Sequence, residues 1–185
     1  INTLEAITKN SSIQLEGLKG VYVNADTRNS GIYLENLSYT EIEAKTSNSK
    51  IMLNRVNAGS ARLRTSNDSI KVENSDIREA IAKTSNSSIK FSDIAGISNS
   101  QYPLYSIEAY TSNDKIVIDL SNVGPVATKI NATTSMDKIS CNINNLGYNA
   151  REKNYIDAYT PGYNEALQKL DLRLQTSMDK IAIIG

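Results

Sequence analysis

Histidine is missing from all 185 residues of the chain, and so is tryptophan. Without an imidazole the chain has no Ser-His-Asp or Cys-His catalysis and no His-ligated metal. The single cysteine, Cys141, has no partner for an internal disulfide. So few cysteines fit either a reducing cytosol or an envelope protein stabilised without disulfides. Charge of one sign is lacking too. Lys and Arg number 20, Asp and Glu number 20, and the balance leaves no net field to favour nucleic acid or an anionic membrane; no nucleic-acid partner is expected. Mean hydropathy is −0.37, and no apolar run approaches the ~18 residues of a spanning helix. No signal peptide is visible. The chain begins at Ile1 rather than Met, the expectation for a processed or shortened form whose signal or anchor lies elsewhere. The abundance of Asn, Ile, Lys and Tyr points to an AT-rich bacterial genome. A chain of this length defaults to one domain, residues 1–185.

What is present is a repeat. Ile13, Ile32, Ile51, Ile70 and Ile89 recur every 19 residues. Five residues before them stand Thr8, Thr27, Thr46, Thr65 and Thr84, and two residues after them Leu15, Leu34, Leu53, Val72 and Phe91. Three further copies follow, with Thr111, Thr134 and Thr176 set before Ile116, Ile139 and Ile181. A period of this kind marks a chain built by stacking one unit. The unit reads I-x-A-x-T-S-N-x-x-I-x-L. Ile42, Ala44 and Thr46 alternate with Glu43 and Lys45, the period of a half-buried strand. Ser47-Asn48-Ser49-Lys50 then breaks the strand with turn-forming residues, and Ile51 and Leu53 resume the inward face. A third inward residue is expected at Leu18, Leu37, Val56, Ile77 and Ile94.

The fold expected is all-β: a single-stranded parallel β-solenoid, or β-helix, of about eight coils of roughly 19 residues, with insertions near 95–104, 121–126 and 144–169. At about 4.8 Å per coil it is a rod on the order of 35–40 Å long, two- or three-sided. Nineteen is no multiple of six, which argues against the left-handed hexapeptide helix and for right-handed coiling. Ala6, Ala25, Ala44, Ala82, Ala109 and Ala132 share an inward slot that Leu63 and Leu174 also fill. The Thr residues line up at a corner, where a hydroxyl both donates and accepts. Asn10, Asn29, Asn48, Asn67, Asn86 and Asn113 form an amide ladder, at a corner where Asn tolerates a left-handed backbone. Met136 and Met178 take the Asn slot in the last two repeats, so the ladder stops short of the C-terminal end. Cys141 shares the slot of Leu15 and Leu53 and reads as a small core hydrophobe.

Function is sought in the interruptions and ends. The 144–169 insertion carries Tyr148, Tyr155, Tyr159 and Tyr163, and the Gly96 to Tyr105 insertion carries Tyr102 and Tyr105. These six form the candidate ligand or partner surface, because tyrosine offers rigid area with a polar tip. The stretch Ala150 to Tyr159 is expected as a short amphipathic helix ended before Pro161-Gly162, and the insertion as a cover for an open edge. The apolar end Ile181-Ala182-Ile183-Ile184-Gly185 requires a following segment or something to pack on. Asp68, Asp114, Asp137 and Asp179 share one slot, the last three followed by Lys115, Lys138 and Lys180, and read as a solvated charge ladder. Stacked calcium repeats bring Gly-Gly-x-Gly-x-Asp nonapeptides, and none is present. Arg62, Arg64, Lys71, Lys83 and Lys90 read as a solvated basic patch. The Thr phase is inward, which argues against ice binding. No catalytic, metal or cofactor residues are singled out.

TSNSKI, TSNDSI, TSNSSI, TSNDKI and the two TSMDKI copies resemble a bacterial family, labelled adhesins of unknown function, whose members carry tandem T-S-S/N-G/S-D/K-I units at about this spacing. The resemblance spans nearly the whole chain and departs from the motif in its Gly: only Gly31 stands just before its Ile. It implies a parallel β-solenoid at the bacterial cell envelope or surface, outside the cytoplasm. Some relatives look like envelope-stress or membrane-associated proteins. The expectation is therefore a non-enzymatic, adhesin-like binding or scaffolding module with a protein or glycan ligand and stacking contacts through its ends. The alternatives are a regulatory envelope-stress-sensing module that engages a membrane protein, and a polysaccharide-active β-helix enzyme.

Overall fold

The computed structural model describes residues 2–94, 104–124 and 126–185. In chain order the strands are β1 (Thr3–Ile7), β2 (Ile13–Glu16), β3 (Lys19–Asp26), β4 (Ile32–Glu35), β5 (Ser38–Lys45), β6 (Ile51–Asn54), β7 (Asn57–Arg64), β8 (Ile70–Glu73) and β9 (Asp76–Lys83). They continue with β10 (Ile89–Ser92), β11 (Leu104–Tyr110), β12 (Ile116–Asp119), β13 (Ala127–Thr134), β14 (Ile139–Cys141), β15 (Gly147–Arg151), β16 (Tyr155–Tyr159), β17 (Lys169–Thr176) and β18 (Ile181–Ile184). No helix occurs among the described residues. The protein is all-β, with two sheets of mostly parallel strands, an arrangement consistent with a β-solenoid. Each repeat gives a longer strand to one sheet and a short strand to the other, and each strand pairs in register with its copy (Ile32 with Ile51, Ala25 with Ala44).

The core lies between the sheets. In β5, Tyr39, Ile42 and Ala44 point inward with Thr46, and in β6 Ile51 and Leu53 meet them. Tyr39 and Ile42 are both inward although three residues apart, because Thr40 and Glu41 both face out. The pairing of β5 with β3 and β7 skips Val21, Thr40 and Gly59 at this step. All the strands step together, so register survives. Gly59 answers to this crowding: a Cβ there would lie 2.8 Å from the Thr40 carbonyl oxygen. The expected third inward slot is corrected at one position. Ile77 pairs with Ala58 and belongs one slot later; the place after Leu37 and Val56 is held by Ser75, whose buried Oγ accepts from the Val56 amide at 3.1 Å and donates to the Glu73 carbonyl at 2.7 Å.

Left-handed backbone occurs at the opposite corner from the Asn ladder. Gly17, Asn36, Arg55, Asn74 and Asp93 have φ of 67°, 51°, 52°, 49° and 53°, one after each of the first five short strands. Glycine, Asn and Asp adopt this conformation readily; arginine does so only at a steric cost. Arg55 donates there to Glu35 at an exposed site, and an exposed ion pair of this kind is worth about 0–1 kcal/mol. Arg55→Asn is therefore expected to hold or raise stability by up to about 1 kcal/mol, read as a rise in the denaturation midpoint; a clear fall would show that the ion pair outweighs the strain.

One expectation for the C-terminal third is overturned. The 150–159 stretch is not helical. β15 and β16 form an antiparallel hairpin, and β16 pairs antiparallel with β13, covering the edge of β13 and moving the edge of the long-strand sheet to β15. Ile156 and Ala158 point into the core between Tyr155, Asp157 and Tyr159, a period of two that suits a strand, and the unpaired edge of β13 supplies the partner. The repeats also do not stack in sequence order. β17 lies between β11 and β13, and β18 between β12 and β14. The last repeat thus sits inside the stack, and the apolar C-terminal strand is covered on both sides. The 121–126 insertion supplies the reach for the chain to step over one strand position and leave this place open. At the other end, β1 and β2 are the sheet edges, with Leu4, Ala6, Leu15 and Leu18 half-buried.

Candidate functional site

The Thr and Asn columns are internal structure. Thr27, Thr46, Thr65, Thr84 and Thr111 donate from Oγ1 to carbonyls of Ser11, Ser30, Ser49, Asp68 and Ser87 at 3.2, 3.0, 2.9, 3.0 and 2.9 Å. Thr176 donates to Asp114 at 3.0 Å and Thr134 to Asp179 at 2.9 Å, which repeats the spatial order of the strands. Thr8 accepts from the Ser11 amide at 3.3 Å. All but Thr8 are buried, so the column offers no surface to a ligand. The Asn amides run along the exposed corner: Asn29 donates to Asn10, Asn48 to Asn29, Asn67 to Asn48, Asn86 to Asn67 and Asn113 to Asn86, at 2.8, 2.8, 2.7, 2.8 and 2.6 Å. Beyond Asn113 the slot passes to exposed Met178 and then Met136.

The charged candidates disperse. Asp68, Asp114, Asp137 and Asp179 each turn back to accept the next residue's amide at 2.6, 2.6, 2.8 and 2.6 Å. Among the described residues no group of three or more carboxylates or thiols is placed to hold a metal. The basic patch splits between the sheets: Arg62, Arg64 and Lys83 lie on the long-strand sheet, Lys71 and Lys90 on the short-strand sheet. Arg62 faces Glu41 and, at 3.9 Å, Glu43; Lys71 meets Glu73 at 2.8 Å; Lys83 lies 4.7 Å from the Tyr110 ring centre. Cys141 is half-buried beside the core, and burial pushes its thiol above the ordinary range, as suits a packing residue.

The tyrosines divide. Tyr102 lies outside the described residues. Tyr105 is not a surface residue: it is 1% exposed, and its hydroxyl donates to Asp76 at 2.8 Å. Tyr148 packs against the core with the Arg151 guanidinium 4.7 Å above its ring. Tyr155 faces out and accepts from Asn131 at 3.4 Å. Of the described candidates, Tyr159 and Tyr163 share a hollow of about 400 Å³, lined also by Lys129, Asn149, Gly162, Asn164 and Glu165. Tyr159 is 40% exposed and covers Gly147, its strand partner, where an added Cβ would be 3.7 Å from the ring. Tyr163 donates to Asp171, and burial together with that carboxylate raises its pKa, so the ring is held and its hydroxyl stays protonated. Lys169 lies 5.5 Å from the Tyr163 ring centre and donates to the Asn164 carbonyl at 2.8 Å. Asn149 is fixed by a 3.1 Å bond to Asp157. Lys129, Asn149, Asn164 and Glu165 carried no sequence signal; Lys129 joins Tyr159 only because β13 and β16 pair antiparallel.

One buried tyrosine is anomalous. Tyr39 is buried, and its hydroxyl has no hydrogen-bond partner among the described residues. Stranding such a group costs about 1–3 kcal/mol. Tyr39→Phe is expected to stabilise the protein by about 1 kcal/mol, seen as a higher midpoint in urea; a loss of that size would place a functional hydrogen bond at Tyr39.

The class so defined is an all-β stack of mostly parallel strands with an aromatic-lined hollow on the outer face of its capped end. No protein-family model matches the chain, and neither a curated protein nor a solved structure does.

Proposed function

We propose that the chain is a non-enzymatic, adhesin-like binding or scaffolding module of the bacterial cell envelope or surface, built as a single-stranded right-handed β-solenoid of about eight coils. The regular coils set a rigid rod, and the hollow at its capped end takes a protein or glycan ligand. One observation carries the reading: Tyr159 and Tyr163 stand together, outward and held, beside Lys129, Asn149 and Glu165. Tyr163 is tied to Asp171 and Tyr159 rests on Gly147. Aromatic area with little entropy to lose, ringed by polar groups, suits recognition. The open edges of β1 and β2 support end-to-end contacts of the rod.

The test is binding of the chain to a glycan array and to surface-protein extracts, followed by Tyr159→Ala and Lys129→Ala on any partner found. The expected result is loss of at least about tenfold in affinity with Tyr159→Ala, with the fold retained by circular dichroism. Binding that ignores both substitutions removes the hollow from the account. Turnover of any glycan, seen by mass spectrometry of products, overturns the non-enzymatic reading.

A further inference from the structure

The last repeat fills a place that the chain leaves open. From β12 the backbone passes through residues 120–126 to β13, whose neighbour is not β11 but β17. It then builds the β15–β16 hairpin and returns, so that β17 enters between β11 and β13 and β18 between β12 and β14. Both β17 and β18 run parallel to both neighbours, in register along nearly their whole length. Leu170, Leu172, Leu174, Ile181 and Ile183 are buried there. The Thr ladder crosses the joint on both sides, from Thr176 to Asp114 and from Thr134 to Asp179. Donor and slot are thus complementary, and both belong to one chain.

The tether between them is long. β16 and β17 flank β13, so residues 160–168 need to cross only two strand spacings, about 10 Å. Nine residues extend to about 30 Å. The excess is wound into short turns: the Tyr163 amide donates to Thr160, Glu165 to Gly162 and Ala166 to Tyr163, at 3.1, 3.2 and 3.4 Å. Leu167 in this tether is 89% exposed. Unwinding these turns leaves β17 and β18 intact as a pair and lets them reach a second molecule.

We infer that β17–β18 is an exchangeable donor pair, and that two copies of this chain associate by each inserting it between β11–β12 and β13–β14 of the other. Such an exchange makes no contact absent from the monomer, so its cost is confined to the tether and to bringing two chains together. It is distinct from contact through the β1–β2 end, and it takes the tyrosine hollow apart, because Gly162, Tyr163, Asn164 and Glu165 of the tether line that hollow and Tyr163 donates to Asp171 of β17.

The test uses the full chain with Cys141→Ser, Asn131→Cys and Arg173→Cys. Positions 131 and 173 are direct strand partners on the outer face of β13 and β17, at a spacing of about 4.8 Å that a disulfide spans. The protein is unfolded, refolded at low and at high concentration, and then oxidised. The expected result is a shift from monomers at low concentration to covalent dimers at high concentration on a non-reducing denaturing gel. Monomers alone at every concentration, or dimers that separate on that gel without reductant, overturn the inference; the second result would assign the dimer to the open end. The unsubstituted chain, refolded in the same way and followed by native mass spectrometry, guards against a folding defect of the triple variant: exchanged dimers persist for hours after dilution, and their absence or prompt dissociation counts against exchange.

Discussion

Leu63→Ala is expected to cost about 4 kcal/mol, toward the upper end of the range for a buried Leu→Ala change. The reason lies in the slot. Leu63 is fully buried and stands between Ala44 and Ala82, its partners on the two neighbouring strands. The other inward residues of β7 are Ala58 and Ala61, so Leu63 is the one large side chain that its strand sends into the core. Collapse could relieve the loss, but the surrounding residues are already small and their backbones are fixed by ladder bonds on both sides. The void therefore stays open. A loss of this size is a large part of the ~5–15 kcal/mol that a domain has. Arg62→Ala, one residue away and outward, is expected to change stability by no more than about 1 kcal/mol, because its ion pairs with Glu41 and Glu43 are exposed. Guanidinium denaturation of the two variants checks the contrast; equal and small effects would mean that the slot repacks.

The period itself made much of this fold legible. An interval of 19 residues with Ile, Ala and Thr in fixed phase places strands, inward faces and register together, because parallel in-register pairing puts each residue beside its own copy. The Thr and Asn columns follow from the same argument. Order within the stack does not. When repeats share one inward pattern, each is a fit neighbour for any other, and nothing in TSMDKI says whether its strand lies beside the sixth or the seventh copy. Chain length alone carries a hint: 121–126 is longer than the tight corners after Leu34 or Leu53 because it steps over a vacant place. The left-handed corner is visible in the sequence as well. Gly17, Asn36, Asn74 and Asp93 keep the 19-residue spacing and are the residue types that corner needs, with Arg55 masking the series. The site was less legible still. Tyr155, Tyr159 and Tyr163 are plain in the sequence, but which of them share a hollow depends on a hairpin added antiparallel to β13. Tyr-Ile-Asp-Ala-Tyr alternates as a strand does; reading it as helix placed its side chains on the wrong period.

Leu174→Asp tests the order of the stack. Leu174 is buried in β17 between Ala109 of β11 and Ala132 of β13. A carboxylate placed there has alanine on both sides and, among the described residues, no buried Lys or Arg to pair with, so it must protonate or break the joint. Removing the leucine and stranding a charge each cost several kcal/mol, and the expected outcome is unfolding of β11–β14 and β17–β18 at the least. Leu4→Asp in β1 is the matching control: Leu4 is half-buried on an edge strand, where water reaches the new carboxylate, and the cost is expected near 1–2 kcal/mol. A stack in sequence order would put the last repeat at an end, and the two substitutions would then be equally mild. Hydrogen exchange resolves the difference strand by strand. With Leu174→Asp, protection should vanish from the amides of both β11 and β13 while the β3–β7 ladder keeps much of its own. Loss confined to β13, with β11 undisturbed, would mean that β17 is no partner of β11 and that the last repeat closes the rod from outside.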